Sequence, residues 1–157
     1  MPRRLDMTVT LQEGSILPLD GARRPGPDDR EGLAQLLLDA YAGTIDSEEE
    51  TLEEALVEVD RTTGGEYGPY MPEHSLVVER EGRLVSATLV TGWQGRPFVA
   101  HSMTAPEFQR LGFARLSLAN VMSSLHQAEH EKLSLVVTLA NTHAHRLYER
   151  LGFVIGR

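Results

Sequence analysis

The segment "APEFQRLGFARLSLANVM", residues 105–122, decides the fold, because a short polar loop runs directly into a long apolar helix. Gly112 and Ala114 stand at the predicted helix start, where a serine or an aspartate is the usual cap. The N–H groups and the helix dipole at such a start attract anions, and small residues leave the backbone open. Gln109 and Arg110 would add side-chain donors. Small residues also allow close packing on a sheet, so a phosphate cradle and a packing device remain alternatives.

Composition limits the classes of function. The chain has 157 residues, 41% apolar and 24% charged, which is ordinary for one globular domain over residues 1–157. Residues 1–26 form either an N-terminal strand or an extension. There is no cysteine, so we expect no disulfide, thiolate nucleophile or cysteine-based zinc site. A net charge of -8 argues against nucleic-acid partners. No apolar run is long enough to span a membrane, so we expect a cytoplasmic location.

Acidic residues concentrate in the segment "DSEEETLEEALVEVD", residues 46–60. The negative field of this segment would favour a cationic small molecule over an anionic one. The alternative is that the charge only keeps the protein soluble.

Hydrophobic periodicity predicts the element order β-α-α-β-β-β-α-β-α. One strand or two precede a helix that begins near Pro27 and ends at Gly43. A second helix is predicted to open on a capping box formed by Ser47 and Glu50. Short turns make the next three strands antiparallel neighbours, and the apolar segment 132–139 is typical of a buried central strand. The pattern predicts an α/β (α+β) fold with a mixed, mostly antiparallel central sheet flanked by helices.

A second polar group lies in "ANTHAHRLYERLGF", residues 140–153. Asn141 and Tyr148 are two helical turns apart and so lie near one face of the predicted helix. A tyrosine beside an amide at the mouth of a cleft could act as a proton donor. In the alternative interpretation Tyr148 is a core aromatic residue and Asn141 only caps the helix. Taken by themselves, these two residues favour the second interpretation.

Together the two segments resemble the GCN5-related N-acetyltransferase (GNAT) superfamily. Its acetyl-CoA motif, Q/R-x-x-G-x-G/A at a helix start, is matched by "QRLGFA", residues 109–114, after the turn "PEF". Its later pattern, N-x-x-A-x-x-L-Y-x-x-L-G-F, is matched by residues 141–153. Each motif alone is weak, but the two in this order and spacing are specific over residues 98–153. The resemblance implies the GNAT fold.

The resemblance also implies roles for the matching positions, with acetyl-CoA as co-substrate. Tyr148 would protonate the departing CoA thiolate, and Asn141 would contact the cofactor arm. A neutral amine would attack the thioester directly, without an enzyme nucleophile. The remaining cofactor contacts would be Ser102, Met103 and Thr104 for the pantetheine arm, and Gln109, Arg110, Leu111, Gly112, Phe113, Ala114 and Arg115 for the pyrophosphate.

Two features depart from the family pattern. Arg110 stands where the family often has a glycine. Family members usually carry two further strands after the "LGF" sequence, whereas this sequence ends at Arg157. We therefore expect C-terminal strands that are short or missing. Either the chain is truncated, or its first strands or a partner chain complete that side of the acceptor site; homodimers are frequent in the family.

The general base and the acceptor contacts are less well defined by the motifs. His101 lies beside the cofactor segment and is a candidate base, since histidine suits proton transfer near neutral pH. Its side chain could instead face the helices. Glu66, Tyr67 and Tyr70 lie in a Gly/Pro-rich loop that would overhang the acceptor, where they are either substrate-binding residues or plain surface.

The sequence predicts an acetyl-CoA-dependent N-acetyltransferase, an acyltransferase acting on a primary amine of a small molecule. A protein or peptide N-terminus or lysine is an alternative acceptor, although the Glu and Arg often found before Asn141 in such members are absent. A non-catalytic acyl-CoA-binding module is a further alternative. No metal is expected, because His126 and His130, one helical turn apart, have no evident third ligand.

Overall fold

The computed structural model describes residues 3–14, 18–44, 47–49 and 51–156. The strands are β1 (Arg4–Thr10), β2 (Ala22–Arg23), β3 (Leu76–Arg80), β4 (Arg83–Trp93), β5 (Arg96–Thr104), β6 (Lys132–Thr138) and β7 (Val154–Ile155). The helices are α1 (Arg30–Tyr41), α2 (Leu52–Thr63), α3 (Phe113–Gln127) and α4 (Thr142–Arg150). Within these described ranges, no helix has the length and apolar character needed to cross a membrane.

The strands form one sheet in the order β2-β3-β4-β5-β6-β1-β7. Strands β5 and β6 are parallel neighbours, and all other neighbouring pairs are antiparallel. The parallel pair requires a crossover connection, which α3 supplies. The predicted mixed, mostly antiparallel sheet flanked by helices is therefore confirmed.

The N-terminal segment contains two strands that lie at different places in the sheet. Strand β1 pairs with β6 from Arg4 opposite Thr138 to Thr10 opposite Lys132. Strand β7, two residues long, adds to the outer side of β1. The first strand thus covers the side of the sheet that the C-terminal strands were expected to occupy, and the short final strand agrees with the prediction.

Helices cover both faces of the sheet, and each face has its own apolar cluster. On one face α3 packs over β3, β4 and β5, and the apolar cluster continues to β1 and β6, with Leu118, Leu125 and Leu133 fully buried. On the other face α1 packs against β4, β5 and α2, and Val77 and Leu89 of the same cluster are fully buried. The sheet is therefore held rigidly on both sides of its parallel strand pair.

The predicted start of α2 is wrong by four residues. Thr51, not Ser47, is the N-cap, and its Oγ1 accepts a hydrogen bond from the Glu54 backbone N–H at 3.1 Å. The segment contains two consecutive Ser/Thr-x-x-Glu patterns, and burial of Ala55 in the core selects the later one. Glu50 of the predicted box lies outside the described residues.

Candidate active site

The two parallel strands separate toward their C-terminal ends. Within the described ranges, Phe98 opposite Ser134 is the only pair between β5 and β6. Ala100 has no partner in the β4 register, and such a bulge bends its strand. The strands part beyond this point and line a cleft of about 720 Å³.

The start of α3 keeps its backbone open. Gly112 is the N-cap at φ 91°, and no side chain caps the helix. A Cβ atom added at Gly112 would meet no heavy atom within 4 Å, so the space before the first helical N–H groups is open. Arg110 is also left-handed, at φ 64°, which explains why a glycine suits this position. The backbone here fits a phosphate group.

The side chains of this segment divide between packing and solvent. Gln109 Nε2 donates to the Thr104 carbonyl oxygen at 3.0 Å, which ties the turn to the end of β5. The Phe113 ring packs edge-on against Phe108, with 5.9 Å between centroids. Ala114 is partly buried, and the exposed members are Gln109, Arg110, Leu111 and Arg115. An anion would therefore meet mainly backbone groups, with the two arginines as additional cations.

The predicted pantetheine segment on β5 uses its side chains mainly for the fold. Ser102 lines the cleft, and its carbonyl oxygen accepts a hydrogen bond from Tyr41 Oη at 3.1 Å. The Met103 side chain is 3% exposed in the core. The Thr104 hydroxyl lies 3.1 Å from the Ser86 hydroxyl. A cofactor arm would therefore contact the backbone of this segment rather than the side chains of Met103 and Thr104.

Asn141 and Tyr148 line the same cleft, as their helical spacing predicts. Asn141 is the N-cap of α4, and its Oδ1 accepts from the Ala144 N–H at 3.2 Å. The Tyr148 ring packs near Phe153 at 5.8 Å between centroids. Asn141 therefore caps the helix and Tyr148 packs against an aromatic residue, as in the alternative interpretation. Both residues also line the candidate site.

His101 lies between the cleft and helix α2. Its Nε2 is 3.1 Å from Glu58 Oε2 and 3.2 Å from Thr62 Oγ1. The side chains of His101 and Glu58 are 14% and 15% exposed, and both residues line the cleft. The two interpretations of His101 are thus compatible, since the residue faces a helix and also reaches the cleft.

Glu58 is a site residue that sequence reasoning missed. Its spacing from the buried Ala55 and Thr62 on α2 would have placed it beside the buried helix face. Tyr67 Oη donates to Glu58 Oε1 at 2.6 Å. Burial raises the pKa of the Glu58 carboxyl, but hydrogen bonds from His101 and Tyr67 outweigh this and lower it. Burial and the bond to Glu58 raise the pKa of Tyr67 to about 12.

The three predicted acceptor contacts are not all in the cleft. Glu66 and Tyr67 line the cleft, whereas Tyr70, which the structure also describes, does not. Tyr70 instead forms an isolated antiparallel bridge with Thr91 of β4. Burial raises the pKa of Tyr70 to about 12, so its hydroxyl is neutral at physiological pH.

One end of the cleft is acidic. The glutamates that line it are Glu48, Glu49, Glu58 and Glu66. Arg4 pairs with Glu48 at 2.9 Å, and Arg61 pairs with Glu66 at 3.4 Å. Burial, together with the carboxylates of Glu58 and Glu48, raises the pKa of Glu49. Carboxylates crowded in this way favour a cationic ligand at this end.

The described residues contain no group of three or more His, Cys, Asp or Glu side chains suited to a metal ion. His130, part of the histidine pair noted in the sequence, packs edge-on against His74 with 5.7 Å between ring centroids. The absence of a metal requirement stays a prediction.

The chain thus combines a sheet whose parallel strands separate around a cleft with an open helix start at α3. Residues 30–153 match the acetyltransferase (GNAT) family. The chain belongs to this family. No match was found among curated proteins.

Solved structures share the fold at low sequence identity. The GCN5-related N-acetyltransferase from Sphaerobacter thermophilus is 21% identical with a TM-score of 0.77, over 99% of this chain and 50% of that one. The ribosomal-protein-S18-alanine N-acetyltransferase from Escherichia coli is 17% identical with a TM-score of 0.66, over 83% and 75%. The PaiA N-acetyltransferase from Thermoplasma acidophilum, in complex with coenzyme A, is 18% identical with a TM-score of 0.66, over 86% and 89%. The chain thus spans half the length of the Sphaerobacter protein.

Proposed function

We propose that this chain is an acetyl-CoA-dependent N-acetyltransferase that transfers the acetyl group directly to a primary amine of a small molecule. The observation that carries the proposal is the cleft between β5 and β6, which brings Tyr148, Asn141 and His101 together. The open start of α3 near the end of β5 supports it, because it suits the pyrophosphate of the same cofactor.

The proposed cofactor contacts are those that the family resemblance implies, and the open start of α3 supports them. Backbone N–H groups of residues 109–115 would bind the pyrophosphate, with Arg110 and Arg115 adding positive charge. Backbone groups of residues 102–104 and the side chain of Asn141 would bind the pantetheine arm. Acetyl-CoA, when bound, supplies an activated acetyl thioester. The proposed reaction therefore needs no nucleophilic side chain from the protein.

Two side chains would move protons in the transfer. His101 would accept a proton from the acceptor amine as its nitrogen bonds to the acetyl carbon. Tyr148 would donate its hydroxyl proton to the sulfur as the carbon–sulfur bond breaks. The presence of both residues on the lining of one cleft supports these roles.

The acidic end of the cleft supports a cationic amine as acceptor. Glu49 and Glu66 would attract such a substrate, and Tyr67 would line its path. The volume of about 720 Å³ suits a small molecule. We place the reaction in the cytoplasm, where acetyl-CoA is available. Homodimerisation stays a prediction that sedimentation velocity would test.

Two measurements test the proposal. Calorimetry should show acetyl-CoA binding, and a thiol reagent should detect CoA release with an amine from a panel of diamines, amino alcohols, amino acids and peptides. The chain has no cysteine of its own to react with the reagent, so the background is low. Turnover with peptides alone would favour a protein acceptor. Binding without any turnover would favour a non-catalytic module, and no binding would overturn the proposal.

A further inference from the structure

We infer that Glu58 is a positioning residue that holds His101 in the tautomer with the proton on Nε2, leaving Nδ1 as the proton acceptor. The inference rests on the proposed function for its catalytic consequence. The tautomer itself follows from contacts within this chain and can be measured without any substrate.

The neighbours of His101 Nε2 require a donor at this nitrogen. Glu58 Oε2, at 3.1 Å, only accepts hydrogen bonds when the carboxyl is ionised. Thr62 Oγ1, at 3.2 Å, donates its own hydrogen to the Glu58 carbonyl oxygen at 3.0 Å. The lone pairs of this hydroxyl are therefore turned toward His101. Because both neighbours accept, Nε2 carries the hydrogen, and in a neutral ring Nδ1 then has the free lone pair.

The surroundings keep Glu58 ionised, so its accepting role holds at neutral pH. Tyr67 Oη donates to Glu58 Oε1 at 2.6 Å, and the hydrogen bonds from Tyr67 and His101 outweigh burial and lower the pKa of Glu58. The Tyr67 hydroxyl stays protonated because burial and Glu58 raise its pKa to about 12. The carboxylate is thus held by two donors, one at each oxygen.

The packing of α2 fixes this carboxylate in place. Ala55 and Val59 are buried in the core cluster that α2 shares with α1, and Arg30 of α1 donates to both carboxylate oxygens of Asp60 at 2.7 and 2.8 Å. Opposite α2, His101 lies directly after the β5 bulge, where its backbone pairs with Leu89. The pair therefore connects two rigid elements across the wall of the cleft.

Few other charged groups act on this pair. Glu49, from the segment before α2, acts on the His101 side, and Arg61 of α2 acts on Glu58. Tyr67 faces it from the loop after α2. On β4 the residue opposite His101 is the apolar Leu89. The charge closest to the ring is thus the carboxylate of Glu58.

The proton transfer is balanced within the proposed reaction. The acceptor nitrogen bonds to the acetyl carbon and gives its proton to His101 Nδ1. The carbon–sulfur bond breaks, and the sulfur takes a proton from Tyr148. The imidazolium then returns its proton to solvent, with Nε2–H still donated to Glu58, and the Tyr148 phenolate takes a proton back from solvent. No further reactant is needed.

The first test reads the tautomer directly by NMR of protein labelled with ¹⁵N in its histidines. The spectrum of His101→Gln identifies the His101 signals among the 6 histidines. The wild type should show the Nε2–H tautomer, and Glu58→Gln should weaken this preference, because the charged acceptor is lost and only neutral acceptors remain. The matched control is Glu53→Gln, the same change at an exposed residue of α2, which should leave the tautomer unchanged. A wild type with the proton on Nδ1, or a Glu58→Gln spectrum identical to wild type, overturns the inference.

The second test is the steady-state kinetics of acetyl transfer. In Glu58→Gln, kcat should fall about tenfold or more, but less than the roughly 10²–10⁴-fold that loss of a general base costs, with the KM for acetyl-CoA near that of wild type. Glu58→Asp keeps the charge and should restore part of kcat. An unchanged kcat in Glu58→Gln, or a change in KM alone, contradicts the inference, whereas wild-type inactivity with every amine contradicts only the proposed function.

Discussion

Met7 of β1 lies directly opposite Leu135 of β6 in the antiparallel ladder. Met7 is fully buried, and Leu135 belongs both to the core and to the lining of the cleft. The first strand of the chain therefore supports one wall of the candidate active site. A residue far from the motifs thus contributes to the shape of the site.

The contact predicts that Met7→Ala destabilises the whole fold. Removing a fully buried methionine should lower the free energy of unfolding by about 2–5 kcal/mol, from lost burial and the cavity left behind. Urea denaturation would measure the change. Thr10→Ala, at an exposed position of the same strand, should stay within about 0.5 kcal/mol of wild type. Equal urea midpoints for Met7→Ala and Thr10→Ala would show that β1 is not part of the core that unfolds cooperatively.

Tyr148→Phe should slow acetyl transfer without disturbing the fold. The ring contact with Phe153 is retained, but the hydroxyl that would protonate the thiolate is lost. We expect kcat to fall by about 10²–10⁴-fold, with acetyl-CoA affinity by calorimetry near that of wild type. His143→Ala, on the same helix at an exposed position, is the control. A fully active Tyr148→Phe enzyme would remove Tyr148 from the mechanism.

Gly112→Ala should destabilise the protein through its backbone alone. The position has φ 91°, and an added Cβ meets no atom within 4 Å, so steric clash with neighbours is absent. Placing an L-residue in this conformation costs about 1–2 kcal/mol. Gly26→Ala is the matched control, since φ there is -127° and the site is equally open. Chemical denaturation of both variants checks the difference, and acetyl-CoA calorimetry on Gly112→Ala should show weaker binding.

The acidic end of the cleft should discriminate between acceptors by charge. For a diamine, Glu49→Gln should raise KM by about two- to fivefold, while a monoamino alcohol should be affected less. Added salt should raise the KM of the wild type for the diamine in the same direction, because it screens the carboxylates. Steady-state kinetics at two ionic strengths measures both effects. A KM for the diamine that responds to neither change would place the acceptor charge elsewhere.

Asp29 should make the free energy of unfolding depend on pH in the acidic range, because folding lowers the pKa of its carboxyl. Hydrogen bonds from Arg23 hold the pKa of the Asp29 carboxyl below its usual 3.8, against the opposing effect of burial. Because folding depresses this pKa, the stabilisation is complete above the unfolded value and is lost as pH falls through the folded value. At pH 7 Asp29→Asn should therefore cost about 1.5–3 kcal/mol in urea denaturation.

The same comparison at low pH supplies the control for Asp29. Below about pH 4 the difference between Asp29→Asn and wild type should shrink, since the wild-type carboxyl also becomes neutral. Asp28→Asn, at the exposed neighbouring position, should show little effect at either pH. A constant difference across this range would mean that packing, not charge, makes Asp29 important.

The sequence by itself determined the central elements and the two motifs. Residues 105–122 and 140–153 encode a loop–helix start and a capped helix through local periodicity and turn residues, and both form as predicted. Asn141 and Tyr148 share one face because helical spacing alone requires it. Local chemistry was less decisive at the start of α2, where one capping pattern directly follows another and burial of Ala55 selects the later one.

Only the tertiary structure decided which distant segments meet. The pairing of Met7 with Leu135 and the contact of Glu58 with His101 join residues from separate elements. A hydrophobic pattern marks which face of a strand or helix is buried, but it does not name the partner or the register. The pairing of β1 with β6 and the position of Glu58 beside His101 depend on how β1 and α2 pack in the folded chain.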